Sequence, residues 1–227
     1  MAMTKVRPSR SLFSLTRPRT NDCPPARICR DSAVIDFAVY IDGQRVLTDS
    51  VADAVRLVRD GELTPQTEGS AGFVWVGLHE PDSAELERLA DLFGLPSLAV
   101  EDAIKAHQRP KLERYEDLQF FVLKTVGYVE HSAGVEIIET GEIMIFCGPD
   151  FVVTVRHGDH GELGSVRRRL EANPERLMLG PNAVLHAVAD RVVDEYISVA
   201  AAVQQDVDEV EESVFSTERT NDAARIY

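Results

Sequence analysis

Hydrophobic and polar positions follow two different periods along the chain, and this alternation predicts a fold that mixes strands with helices. Alternating or continuous short apolar runs are typical of strands, while apolar residues three and four apart are typical of helices with one buried face. In chain order, the pattern predicts strands at 34–41 and 44–47, a helix at 51–61, a strand at 73–77 and helices at 83–94 and 96–106. Strands at 118–129, 135–146 and 151–156 and a helix at 162–172 follow. The pattern therefore predicts an α/β or α+β body whose last strands are antiparallel.

The segment from Pro181 to about Ser216 has the most regular pattern in the sequence, because no Gly or further Pro interrupts it. Apolar residues recur there in steps of three and four at Leu185, Val188, Val192, Tyr196, Val199, Val203, Val207, Val210 and Val214. At about 1.5 Å per residue, such a helix reaches roughly 54 Å, which exceeds the width of a domain of this size. We therefore expect part of this helix to project from the body or to pack on another chain.

The charge of the chain is divided unevenly between its two ends. Residues 1–30 hold seven basic residues against one acid, whereas residues 31–227 hold 37 acids against 17 basic residues. An acidic surface repels nucleic acid and attracts cations, so cation binding becomes the working hypothesis, with simple solubility as its alternative. The composition predicts three segments: a flexible basic arm at 1–31, an α/β domain at 32–176 and an acidic long helix at 177–227.

Several classes of protein are disfavoured by features that the sequence lacks. No run of 18 apolar residues occurs, so we expect a soluble chain without a membrane span. Three cysteines do not form a disulfide framework, which favours an intracellular setting. The sequence contains neither the Gly-x-Ser-x-Gly elbow of hydrolases nor a phosphate-binding P-loop, and we expect no enzymatic activity.

Two pairs of carboxylates are candidates for binding a divalent cation. Glu101 and Asp102 are neighbours on a predicted short helix, and Asp190 and Asp194 lie four apart on one face of the long helix. Carboxylates supplemented by water are the hard oxygen ligands that Mg²⁺ prefers, although a solvated helix face is the more frequent explanation of such a pair, and an arginine would also suit Asp190 and Asp194. The histidine-containing run at 157–162 is interpreted as a turn and helix start, because all of its ligands are local.

Four motifs in a fixed order make the chain resemble the cytosolic domain of the CorA family of magnesium channels. They are Phe73-Val-Trp-Val-Gly-Leu-His-Glu-Pro81, the helix end Phe93-Gly94, Val100-Glu-Asp-Ala-Ile104 and His107-Gln-Arg-Pro-Lys-Leu-Glu113. The acidic, valine-rich helix follows them, and the resemblance extends from about residue 33 to the end. It implies a three-layer α/β/α sandwich with a mixed, largely antiparallel sheet, followed by a long stalk helix.

The resemblance also implies a function and a set of metal ligands. Family members form homopentamers at the inner membrane, and regulatory Mg²⁺ between subunits holds the pore closed. The matching positions are Asp102 with its neighbour Glu101, and Asp190, with Asp194 beside it as a further candidate. Since the sequence stops at Tyr227, before a membrane span or the Gly-Met-Asn motif of the pore, we expect a truncated form. A related zinc or other divalent-cation transporter, and an acidic protein-interaction scaffold without metal, are the alternatives.

Overall fold

The computed structural model of this protein describes residues 33–60, 72–129 and 138–215. The predicted basic arm at 1–31, the first residues of the strand predicted at 135–146 and the end of the segment predicted at 177–227 lie outside these residues. The strands are β1 Val34–Ile41, β2 Gln44–Val46, β3 Gly72–His79, β4 Lys111–Tyr115, β5 Leu118–Tyr128, β6 Ile138–Cys147 and β7 Phe151–His157. The helices are α1 Val51–Arg59, α2 Ser83–Phe93, α3 Ser97–Lys105, α4 Gly164–Glu171, α5 Pro174–Leu177 and α6 Pro181–Phe215.

A seven-stranded sheet with the strand order β2-β1-β3-β7-β6-β5-β4 forms the centre of the fold. Only β3 and β7 pair in parallel, with Trp75 opposite Val152, and every other neighbouring pair is antiparallel. The hairpins β4-β5, β5-β6 and β6-β7 bring consecutive strands together, while β3 and β7 meet only after a long excursion of the chain. The sheet is therefore mixed and largely antiparallel, as the resemblance implied.

Helices α1, α2 and α3 cover one face of the sheet. Leu86 and Phe93 of α2 and Val100 of α3 are buried against sheet residues that include Val76 and Phe120. The three helices each place apolar residues three or four apart towards the sheet, which explains why their polar residues face solvent.

The opposite face is covered by α4, α5 and the first half of α6. Leu170, Leu177 and Val188 are buried there together with Trp75 and Ile145 of the sheet. Alternate residues of the central strands point to the two helical layers, because side chains along a strand alternate between its faces. This arrangement confirms the three-layer α/β/α sandwich with a long C-terminal helix.

The second half of α6 runs past the region where the sheet buries it. Val199 is buried, whereas Val207, Val214 and Phe215 are exposed, although the apolar spacing of the helix continues through this part. Beyond Val199, the Tyr128 hydroxyl of β5 donates a hydrogen bond of 2.8 Å to Asp206 of α6. Within the described residues, no helix combines the length and the apolar character needed to cross a membrane.

The sequence pattern did not predict β4 or α5, and one predicted helix begins at a different residue. Strand β4 was not predicted, because its sequence, Lys-Leu-Glu-Arg-Tyr, is dominated by charges that an edge strand can carry. The four-residue helix α5 is too short for a periodic signal. The helix predicted at 162–172 begins at Gly164 and ends at Glu171, so Glu162 precedes the helix and does not start it.

Candidate functional site

Helix α3 presents the first pair of candidate carboxylates on its outer side. Pro96 precedes the first turn with a fixed φ, and Ala99, Val100 and Ala103 turn their side chains into the core. Glu101 therefore lies on the solvent side of the helix, and Asp102 lies on its flank, within reach of β4.

Asp102 is already bound to a cation of the same chain. The ammonium of Lys111, on β4, lies 2.6 Å from Oδ2 of Asp102 and 2.8 Å from Oε1 of Glu113, and it sits 5.6 Å from the ring centre of Phe120. The Tyr115 hydroxyl donates a hydrogen bond of 2.7 Å to the other oxygen of Glu113. The hydrogen bond that Lys111 donates to Asp102 raises the pKa of Lys111, and the one that it donates to Glu113 lowers the pKa of Glu113. Asp102 and Lys111 are both 27% exposed, so this ion cluster is partly withdrawn from solvent.

Glu101 has a different environment, although it is the neighbour of Asp102. Its carboxylate pairs with Lys105 one turn further along α3, and both side chains are more than half exposed. Exposed pairs of this spacing contribute only about 0.3–0.5 kcal/mol to stability. Glu101 is therefore easily available to solvent ions, whereas Asp102 is held in place.

The end of α3 is held by His157, Glu80 and Gly158, which are distant in the sequence and were not predicted to lie together. His157 on β7 has Nε2 2.9 Å from the carbonyl oxygen of Ala103 and Nδ1 2.9 Å from Oε2 of Glu80. Gly158 donates its backbone N–H to Oε1 of Glu80 at 2.7 Å. This hydrogen bond and, after it, the one from His157 lower the pKa of Glu80.

A buried carboxylate anchors the connection between α3 and β4. Glu142 on β6 is 4% exposed, pairs with Lys124 and accepts a hydrogen bond of 3.2 Å from the backbone N–H of Gln108. The connection begins with two successive residues, Ala106 and His107, at φ values of 52° and 58°. Left-handed backbone at non-glycine residues costs about 1–3 kcal/mol each, so surrounding contacts must hold it. No sequence spacing could have indicated these contacts, since their partners are 34 and 54 residues away.

The second pair of candidates, Asp190 and Asp194, lies on α6. The Asp190 carboxylate is 3.5 Å from the guanidinium of Arg169 on α4, and both side chains are about half exposed. The backbone carbonyl of Asp194 accepts a hydrogen bond from the Ser198 hydroxyl, and its carboxylate makes no ion pair within the described part of the chain. The sheet separates this pair from α3, because α6 and α3 cover opposite faces.

A single copy of the chain does not bring the four candidates together. With layers about 10 Å apart, helices on opposite faces are about 20 Å apart, which is far beyond the 2.0–2.1 Å bonds of Mg²⁺. Among the residues that the structure describes, no three His, Cys, Asp or Glu side chains are grouped closely enough to hold a metal ion. Each pair offers carboxylate oxygens of the type that suits Mg²⁺ as a partial site, completed by water or by a second copy.

The two histidines of the run at 157–162 do not face each other. His157 contacts Glu80, while Nε2 of His160 lies 2.9 Å from Oε2 of Glu139 on β6. Their partners thus come from separate strands and loops, and each pairing ties the β7 end to another part of the fold.

Comparison with known proteins assigns this arrangement to a family. Residues 70–227 match the family model described as CorA-like Mg²⁺ transporter protein. The chain is similar to the putative metal ion transporter YfjQ of Bacillus subtilis, with 35% identity over 139 residues that cover 61% of this chain and 41% of the relative. It is also similar to the cobalt/magnesium transport protein CorA of Thermotoga maritima, with 26% identity over 61% of this chain and 38% of the relative. The chain thus spans about two fifths of the length of these relatives.

Solved structures show the same fold at low sequence identity. The full-length CmaX protein superimposes with a TM-score of 0.61 and 19% identity, covering 85% of this chain and 55% of that one. The soluble domain of CorA from Methanocaldococcus jannaschii superimposes with a TM-score of 0.51 and 16% identity, covering 79% of this chain and 64% of that one. At these identities the likeness establishes the architecture.

Proposed function

Because the chain belongs to the CorA-like Mg²⁺ transporter family, we propose that it forms the cytoplasmic regulatory domain of a longer divalent-cation transporter in the inner membrane. Mg²⁺ is the transported ion in this proposal and also the regulatory ligand. The regulatory ion binds weakly, at about millimolar concentration, because few protein ligands replace the water around it.

One observation carries the regulatory part of the proposal: Asp102 and Asp190 lie in opposite outer layers of the same chain. A single ion can contact both carboxylates only if they come from two neighbouring copies. Glu101 and Asp194 lie beside them and would add negative charge at the same junction. We therefore place Mg²⁺ between subunits of a homo-oligomer, a pentamer in the complete transporter.

The proposed mechanism is electrostatic and involves two states. When the internal Mg²⁺ concentration is high, the ion bridges carboxylates of adjacent subunits and stabilises the closed arrangement. When Mg²⁺ is lost, the unscreened carboxylates repel each other and the subunits separate or rotate. The ion shifts the equilibrium because it has a higher affinity for the arrangement in which both carboxylates are near it.

Titration calorimetry combined with light scattering tests this proposal on the 227-residue chain. We expect Mg²⁺ to release or absorb heat on binding and to raise the molar mass of the wild type, and we expect Asp102→Ala and Asp190→Ala to lose both effects. Asp49→Ala is the matched control, because Asp49 is an exposed aspartate between β2 and α1, at the edge of the sheet opposite to β4. Co²⁺ is titrated in parallel to compare divalent ions.

Equal heats and masses for the wild type and all three variants would rule out the assigned residues. Association of the wild type that is complete in Mg²⁺-free buffer and unaffected by Mg²⁺ would favour the interaction scaffold instead.

A further inference from the structure

We propose that Lys111 is a tethered competitor for the cation at Asp102, so that a divalent ion binds there only by displacing the lysine ammonium. This inference rests on the proposed function, because it assumes that Asp102 is a Mg²⁺ ligand. It adds a residue that sets the threshold and the ion preference of the site.

The Lys111 ammonium competes with a metal ion for the same oxygen of Asp102. Nζ lies 2.6 Å from Oδ2 of Asp102 and 2.8 Å from Oε1 of Glu113, so it occupies the space between the two carboxylates. A magnesium ion bonded to that Asp102 oxygen at about 2.1 Å would lie within about 5 Å of the ammonium. Charges of +2 and +1 at that distance repel each other, so the ion binds more tightly once the ammonium has moved away.

The fold keeps the displaced lysine close to the site. Lys111 is fixed on β4 by pairing with Val122 of β5, and its ammonium lies over the ring of the fully buried Phe120. Glu113 is two residues further on the same strand and therefore on the same face. After displacement from Asp102, the ammonium remains bound to Glu113, from which it returns when the ion leaves.

A tethered ammonium discriminates between ions by their charge. A monovalent ion carries the same charge as the lysine ammonium. The ammonium has a high effective concentration at Asp102, because it belongs to the same chain, so it outcompetes the monovalent ion. A divalent ion offers Asp102 twice that charge and can therefore displace the ammonium. We therefore infer that Lys111 prevents Na⁺ and K⁺ from occupying Asp102 and raises the Mg²⁺ concentration at which the site fills.

Lys105 provides a matched comparison within the same helix region. It pairs with Glu101, but its side chain is 64% exposed, compared with 27% for Lys111. Water screens such a pair and the lysine moves aside freely. Removal of Lys105 changes the net charge of the chain by the same amount as removal of Lys111, without opening the space beside Asp102.

Calorimetric titration with MgCl₂ distinguishes these roles, using Lys111→Met, Lys111→Arg and Lys105→Met in the 227-residue chain. We expect Lys111→Met to lower the dissociation constant of Mg²⁺ by about tenfold, Lys105→Met to change it by less than about twofold, and Lys111→Arg to retain the wild-type value. We also expect added KCl to weaken Mg²⁺ binding more in Lys111→Met than in the wild type. Lys111→Gln repeats the test with a polar side chain if the Met variant does not fold.

A second readout follows the lysine itself. In NMR spectra of the lysine ammonium groups, we expect Mg²⁺ to shift the Lys111 resonance in the wild type and to leave it unchanged in Asp102→Asn. Equal dissociation constants for the wild type and Lys111→Met, with binding still lost in Asp102→Ala, would overturn the competitor role while the proposed function stands. Absence of Mg²⁺ binding in the wild type and in Lys111→Met would overturn both.

Discussion

Arg167 on α4 is expected to be one of the strongest single determinants of stability in this fold. Its side chain is 7% exposed, and the guanidinium lies 4.0 Å from the ring centre of Trp75. It donates hydrogen bonds to the Tyr40 hydroxyl at 3.1 Å and to the Trp75 carbonyl at 3.3 Å, and it lies 3.2 Å from Asp36. The Arg167 guanidinium thus connects α4 to β1 and β3 on the face of the sheet that α4, α5 and α6 cover.

The cost of Arg167→Ala follows from these contacts. Loss of a desolvated cation–π contact costs about 2 kcal/mol, and each of the two hydrogen bonds to neutral acceptors costs about 1 kcal/mol. Asp36 adds little, because Arg45 also contacts it at 2.9 Å and solvent reaches it. We expect the loss of these contacts to lower the free energy of unfolding by about 3–4 kcal/mol. Arg167→Ala also loses the packing of the stem, so Arg167→Met, which keeps that packing, should cost less than Arg167→Ala.

Urea unfolding followed by circular dichroism and by fluorescence measures this effect, and Trp75 is the single tryptophan of the chain. Arg168→Ala is the matched control, since Arg168 is exposed on the same helix and should change stability by less than about 0.5 kcal/mol. A loss below about 1 kcal/mol in Arg167→Ala would refute the assignment of this buried cation as a link between the layers. A loss of equal size in Arg167→Met would show that charge, rather than packing, accounts for the whole effect.

Two further predictions concern the ends of α2 and α3. The hydrogen bond from Gly158 and then that from His157 lower the pKa of Glu80 in the folded chain, so the stability that Glu80 adds is present above about pH 4.3, the usual glutamate pKa, and is lost as the pH falls through the folded pKa. The difference between the urea midpoints of the wild type and Glu80→Gln should therefore decrease as the pH falls below about 4.3; a difference that stays constant on this acidification would contradict the prediction. Gly94 ends α2 at φ 69° and ψ 44° with open space where a Cβ would stand, so Gly94→Ala should cost about 1 kcal/mol from backbone conformation alone, measured by thermal unfolding, and an unchanged midpoint would argue against a strained helix end.

The layered fold was predictable from the sequence to the extent that burial leaves a periodic pattern. Helices α1, α2 and α6 and strands β1, β3 and β7 were predicted close to their observed positions, because each has a buried face or two buried faces. Strand β4 was missed, since its outer position in the sheet removes the need for apolar residues. The parallel pairing of β3 with β7 could not be predicted, because the alternation of apolar and polar residues within a strand does not indicate which distant strand lies beside it.

The candidate site was predictable only in its residue types. Sequence spacing indicated that Glu101 and Asp102 share a short helix, but it could not show that Lys105 and Lys111 already neutralise them. The pairing with Lys111 depends on a reversal of the chain after two left-handed residues, a conformation with no simple sequence signal at Ala106 and His107. The metal ligands themselves stay a prediction.

The strained connection after α3 gives a physical reason why the position of Asp102 should be well defined. Glu142 and His157 hold the two sides of this connection from β6 and β7, the strands at the centre of the sheet. In the function that we propose, a carboxylate on such a fixed helix end would move little towards an ion, so the ion and a neighbouring subunit would have to come to it. Binding free energy at Asp102 would then be available to shift the arrangement of subunits, whereas a mobile carboxylate such as Glu101 would adjust locally and transmit little.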